Sequence, residues 1–63
     1  MIQIVDRRKV KHPIRLCLIC KVSGANTEVI VEKDGKRDTN LVHSRCIEGR
    51  KESEILKLLH YPL

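Results

Sequence analysis

The sequence predicts a small α+β domain: a short N-terminal strand, a β-hairpin and one C-terminal helix. Three observations carry that expectation. The run Thr27-Glu28-Val29-Ile30-Val31-Glu32-Lys33 is β-branched and breaks at Asp34-Gly35, a dipeptide suited to a tight hairpin turn. From Ser44 onward the apolar period lengthens to that of a helix, with Ile47, Ile55, Leu58 and Leu59 near one face. Finally, 63 residues with one Tyr and no Phe or Trp leave room for one thin aliphatic core and no second domain.

The elements follow in chain order. Ile2 and Ile4 alternate as in a strand, and the basic cluster after them leads to Pro13, which biases His12 towards extended geometry. Residues 1–15 therefore read as a short strand followed by an extended basic arm, and residues 16–60 as the remaining module of one domain, 1–63. Ile14-Arg15-Leu16 alternates again before Cys17-Leu18-Ile19-Cys20, and Ser23-Gly24-Ala25-Asn26 has the composition of a turn. The hairpin has two possible registers. A two-residue Asp34-Gly35 loop sets Glu32 opposite Arg37, whereas a three-residue loop sets it opposite Lys36. Ser44 is the expected helix N-cap, Gly49 a point where the helix can break, and Pro62 the stop, ending it by about His60.

A core this small and poor in rings needs a staple: disulfides, a metal or oligomerisation. An odd number of cysteines cannot all pair internally, and the three here are spaced as ligands. Cys17-x2-Cys20 is separated by 22 residues from His43-x2-Cys46. Two residues between cysteines let one tight turn aim both sulfurs at an ion. Positions i and i+3 set His43 and Cys46 on one side of a helical turn. The four donors close a tetrahedron of the Cys3His type, which suits one structural zinc and leaves no open coordination position. Iron is a lesser alternative for the same soft ligands. A redox pair at Cys17 and Cys20 would need a βαβ context, and a hairpin follows instead. An inert Cys46 beside a surface His43 is the other competing reading.

A zinc knuckle, a hairpin and a helix whose first turn carries the second ligand pair resembles the order of treble-clef zinc fingers. Over about residues 15–60 the arrangement looks like half of a LIM domain, and in ligand type like the zinc finger of poly(ADP-ribose) polymerases. It is also similar in size to Gin-type anti-sigma proteins, whose second pair is Cys-x2-Cys. The resemblance implies a treble-clef-like zinc finger, a module that contacts proteins or nucleic acids.

Charge narrows the function further. The chain carries 13 Lys and Arg against 8 Asp and Glu, a net +5, of which residues 1–15 hold +4. Arg7, Arg8, Lys9, Lys11 and Arg15 are candidate phosphate contacts in DNA or structured RNA, with Lys36 and Arg37 at the hairpin tip as a second basic point. A lone Tyr61 cannot build a stacking platform for unpaired bases. Protein docking is the favoured alternative: Ile55-Leu56-Lys57-Leu58-Leu59 offers more aliphatic surface than one stripe buries, and Tyr61 and Leu63 follow. Ile30, flanked by Glu28 and Glu32, is a further candidate. The expected interaction residues are thus Ile30, Ile55, Leu56, Leu59 and Tyr61, facing a larger protein or a second copy. The opposing expectation is that Leu56 or Leu59 folds back on Ile2 and Ile4.

Catalysis is not expected. The ligand set leaves no lone Cys as nucleophile, and Ser23, Ser44 and Ser53 have no base at a diagnostic spacing, so no small-molecule substrate is expected either. No run of about 20 apolar residues spans a membrane, and residues 1–5 run into Asp6-Arg7-Arg8-Lys9 without the apolar region of a signal peptide. A cytoplasmic protein is expected, a regulator or adaptor in transcription.

Overall fold

A computed structural model describes residues 1–62; Leu63 lies outside the described residues. Three antiparallel strands, β1 (Ile2–Lys9), β2 (Thr27–Lys33) and β3 (Lys36–Val42), form one sheet in the order β1-β2-β3. Two short helices follow, α1 (Ser44–Ile47) and α2 (Glu52–Leu58). The class is small α+β, as expected from the change of period.

The central strand explains the register. Val29 and Val31 of β2 are fully buried, and a shift by one residue would turn both to solvent. The hairpin closes with Lys33 opposite Lys36 and Glu32 opposite Arg37, which is the two-residue loop. Asp34 and Gly35 both take positive φ, 51° and 80°, as a type I′ turn requires. Arg37 Nε donates to Glu32 Oε2 at 3.2 Å across the strands.

The N-terminal strand is longer than expected. It continues through Arg7, Arg8 and Lys9, which pair with Val29, Glu28 and Thr27, so these cations sit on an edge strand and not on a free arm. A register shift between Ile4 and Asp6 makes the continuation possible. Without it, one alternation could not bury Ile2 and Ile4 against the core and also place Asp6 opposite Ile30 on the outer face. The extended arm is confined to residues 10–15, where Ile14 N–H donates to the His12 carbonyl at 2.8 Å around Pro13.

The single C-terminal helix is two helices. Gly49 adopts φ +74°, a left-handed conformation that no helix interior accepts, and α2 restarts at Glu52 with Lys51 as N-cap. Ser44 is the first helical residue and His43 the N-cap. The orphan Ser44 N–H is satisfied by Asn26 Oδ1 at 2.8 Å, a cap contributed from a residue eighteen positions away. Past Leu59, His60 takes φ +67° and donates its N–H to the Lys57 carbonyl, while Tyr61 N–H reaches the Leu56 carbonyl; both are 3.0 Å. That pair of bonds is a Schellman motif with His in the usual glycine place, and it ends the helix before Pro62 acts.

The core corrects the expected interaction surface. Ile55, Leu56 and Leu59 are buried together with Val29, Val31, Val42 and Ile47, and Ile2 and Ile4 pack against them. The aliphatic excess of α2 is therefore spent on the sheet, as in the fold-back alternative. Ile30 is buried too, on the outer face of the central strand between Asp6 and Thr39. Tyr61 is half-buried and its hydroxyl accepts from Asn40 Nδ2 at 3.1 Å. These residues hold the fold together and present no apolar docking face.

Candidate metal centre

Two backbone devices bring the four predicted ligands together. In the first, Arg15 C=O accepts the N–H groups of both Gly24 and Ala25 at 3.1 Å, Leu16 pairs with Ser23, and Cys17 N–H donates to Val22 C=O at 3.0 Å. The chain turns tightly at Lys21, whose φ is +63°. This small ribbon directs the amides of Ile19 and Cys20 at Cys17 Sγ, 3.4 and 3.5 Å away. The second device is the junction between β3 and α1: His43 stands at the end of the strand, and Cys46 lies one helical turn later. Leu18 N–H donates to Leu41 C=O at 3.0 Å and ties the two devices together.

The four donor atoms lie within 4.8 Å of one another. Cys17 Sγ is 3.8 Å from Cys46 Sγ, and His43 Nδ1 is 3.2 Å from Cys20 Sγ and 4.0 Å from Cys46 Sγ. The cysteines are free thiols; at 3.8 Å two sulfurs are far beyond the bond length of about 2.05 Å. A tetrahedron with zinc bonds of about 2.3 Å to sulfur and about 2.0 Å to nitrogen has edges of about 3.8 Å and 3.5 Å. The observed separations bracket those edges, so the residues present fit one ion of that size.

Second contacts orient the imidazole. His43 Nε2 lies 3.0 Å from the Ser23 carbonyl, which can only accept, so the proton sits on Nε2 and the Nδ1 lone pair faces the sulfurs. Gly24 makes that approach possible. Its φ is +100°, and a Cβ there would stand 3.2 Å from His43 Nε2. Gly24→Ala is expected to lower metal affinity about 10-fold to 100-fold, as other outer-contact changes do, measured by competition with a chromophoric chelator. Unchanged affinity would show that the ring is held by something else.

The thiols differ electrostatically. Burial pushes Cys17 up, but the N–H groups of Cys20, His43 and Ile19 outweigh it and hold the thiol down at about 6. Cys46 is pushed up to about 11 by burial and by the neighbouring Cys17 and Cys20 sulfurs. At neutral pH the metal-free site thus presents a Cys17 thiolate and a protonated Cys46. A metal must displace the Cys46 proton. Protons compete with the ion, so affinity falls as pH falls; between about 7 and 9 it should change by at least about tenfold per pH unit, the slope for one proton displaced per ion. Calorimetric titration across that range checks it, and an affinity flat with pH would contradict it.

The candidate nucleic-acid residues are brought together only in part. Arg7, Arg8 and Lys9 line a shallow groove of about 290 Å³ with Asn26, Thr27 and Ser44. Arg8 Nε donates to Asp6 Oδ2 at 2.9 Å, and this bond, with the Arg7 amide, holds the Asp6 carboxyl below its usual range. Lys11 and Arg15 are exposed in the arm. Lys36 and Arg37 are at the opposite end of the sheet: Lys36 is level with Lys33 and Ile2, and Lys9 with Thr27. Six rungs separate them, about 20 Å, and Arg37 is engaged by Glu32.

The apolar surface lies elsewhere. Ile14, Leu16, Leu18 and Val22 are 79%, 61%, 40% and 54% exposed, all on or beside the ribbon that carries Cys17 and Cys20. The alternation Ile14-x-Leu16-x-Leu18 was visible in the sequence. Its exposure was not, because that depends on the ribbon having no sheet over it.

Comparison with protein-family models, with curated proteins and with solved structures finds no match to this chain. What the fold and the site define is a small α+β domain with a Cys3His cluster able to hold one metal ion. No helix among the described residues is long and apolar enough to cross a membrane.

Proposed function

We propose that this chain is a non-enzymatic, treble-clef-type zinc-binding regulator or adaptor that docks on a larger cytoplasmic protein, in transcription. The carrying observation is the exposed apolar set Ile14, Leu16, Leu18 and Val22 on the ligand-bearing ribbon. Four aliphatics in nine residues are left in water, while elsewhere among the described residues the exposed large apolar side chains are the scattered Met1 and Val5, which favours a covered surface over chance exposure. The ligand set supports zinc, since three sulfurs and one imidazole fill a tetrahedron and leave no position for a substrate.

A second reading, direct contact with DNA or structured RNA, rests on the groove lined by Arg7, Arg8 and Lys9. Salt titration separates the two. If nucleic acid is the ligand, duplex or structured RNA binds tightly with a steep salt slope that flattens when Arg7, Arg8 and Lys9 become Ala. On the docking reading, binding to nucleic acid is weak. Partner capture from the native host is then lost in the Leu16→Ser, Leu18→Ser double variant and kept in the Arg7, Arg8, Lys9 variant. Capture indifferent to Leu16 and Leu18 would overturn it.

A further inference from the structure

Resting on the nucleic-acid reading of the β1 face, we infer that Arg7, Lys9 and Lys11 form a track for the backbone phosphates of a nucleic-acid duplex, gripped without reading its bases, and that Arg8 takes no part. Cross-strand partners share one face of a sheet. Arg7 lies opposite the buried Val29 and Lys9 opposite Thr27, whereas Arg8 lies opposite Glu28. Arg7 and Lys9 therefore project on the side of the sheet that carries α1, about 6.7 Å apart along the strand. Arg8 borders the same groove, but it projects on the outer face, where its Nε donates to Asp6 Oδ2 at 2.9 Å.

The lining of that groove is left with donors to offer. Asn26 Oδ1 accepts from Thr27 Oγ1 at 3.2 Å and from Ser44 N–H at 2.8 Å, and Asn26 Nδ2 donates to Ser44 Oγ at 3.4 Å. The amide and hydroxyl acceptors are thus engaged within the fold, while the Ser44 hydroxyl keeps its own proton to donate beside the Arg7 guanidinium and the Lys9 ammonium. The ligand that fits is an acceptor-only anion, as a phosphate is. Among the described residues Arg7, Lys9 and Lys11 form no ion pair. No carboxylate lines this groove or the next one along, about 410 Å³ between Lys9, Val10 and Lys11. Of the nearby carboxylates, Asp6 is held by Arg8 and Glu28 shares the outer face with it. Glu48 lines only the adjoining groove on the α1 side, with Arg7, Thr27, Ser44 and Ile47, so the track runs from Arg7 towards Lys11 and away from Glu48. A concave site receives the ridge of a duplex, which is its phosphate backbone; base edges lie inside grooves that only a protruding element enters. Tyr61 is half-buried with its hydroxyl on Asn40, so an unpaired strand finds no ring to stack on.

The test titrates the zinc-loaded full chain with short duplexes of unrelated sequence between about 50 and about 200 mM salt. Three neutralised phosphates give a slope of log affinity on log salt near −2.7 for duplex DNA, about a 40-fold loss over that range, the same for every sequence. Arg7→Ala, Lys9→Ala and Lys11→Ala should each flatten the slope by about 0.9. The double variant Asp6→Asn, Arg8→Gln removes both members of the outer ion pair and should leave affinity and slope unchanged. Thermal melting of each variant, all at exposed positions, separates lost binding from lost folding. A preference of about tenfold or more for one sequence, a single strand that binds as well as the duplex, or a double variant that flattens the slope as Arg7→Ala does would each overturn the track while leaving the nucleic-acid reading intact. If neither duplex DNA nor duplex RNA binds at about 50 mM salt, that reading falls as well. Inorganic phosphate shifting the Arg7 and Lys9 amide signals in the same sample would then give the groove to a free anion.

Discussion

Excess EDTA is expected to unfold the protein, and Cys46→Ser to do the same without a chelator. The reason is the size of the opposing terms. The core consists of small and medium aliphatics with one half-buried Tyr61, and cores of such small domains rarely supply more than a few kcal/mol. A structural zinc contributes on the order of 10 to 16 kcal/mol at neutral pH in finger peptides. An ion at the cluster would also bond the ribbon carrying Cys17 and Cys20 directly to the β3–α1 junction. The two segments are otherwise joined through hydrogen bonds, Leu18 to Leu41, His43 N–H to Cys17 Sγ, His43 Nε2 to Ser23 and Ser44 N–H to Asn26, and through the core packing of Cys17 and Ala25. Removing the ion leaves three neighbouring sulfurs, one of them a thiolate at neutral pH. Far-UV circular dichroism and amide NMR dispersion, read with the zinc content of the same sample, report the loss. A folded spectrum from zinc-free protein would contradict it.

Leu56→Ala is expected to lower the stability of the zinc-loaded protein by about 2 to 5 kcal/mol, the cost of emptying a buried leucine site. In a domain of this size each kcal/mol moves the midpoint by about 4 to 8 °C, so thermal melting should drop by about 10 °C or more. Leu56 is buried in the shared core of α2 and the sheet, and its carbonyl holds the Tyr61 amide that ends the helix. The substitution also separates core from interface. If Leu56 served a partner, its loss would weaken binding and leave the melting midpoint unchanged.

Much of the fold was legible because each signal was local. Asp34-Gly35 sets its own turn type, and the β-branched run before it forms the central strand at the expected bounds. The grouping of Cys17, Cys20, His43 and Cys46 was legible from spacing alone, since Cys-x2-Cys and His-x2-Cys each define a short arc whatever the rest of the chain does. What escaped depended on partners distant in sequence. The extension of β1 through Arg7, Arg8 and Lys9 required the shift near Val5, which no residue pattern announces. Asn26 replaced Ser44 as the cap of α1 because the ribbon delivers its carboxamide to the helix start. Leu56 and Leu59 looked surplus on a single helix. Breaking that helix at Gly49 re-aims α2 so that both are covered, with β1 close by. The exposed aliphatics of the ribbon were in plain sight, but only the three-dimensional arrangement shows that nothing within residues 1–62 covers them.

The central claim is that one zinc ion, held by Cys17, Cys20, His43 and Cys46, organises this chain. X-ray absorption at the zinc edge of stoichiometrically loaded protein tests it most directly. The expected first shell is three sulfurs at about 2.3 Å and one nitrogen at about 2.0 Å, with one sulfur lost in Cys46→Ser. A shell dominated by oxygen, or one unchanged by Cys46→Ser, would contradict it.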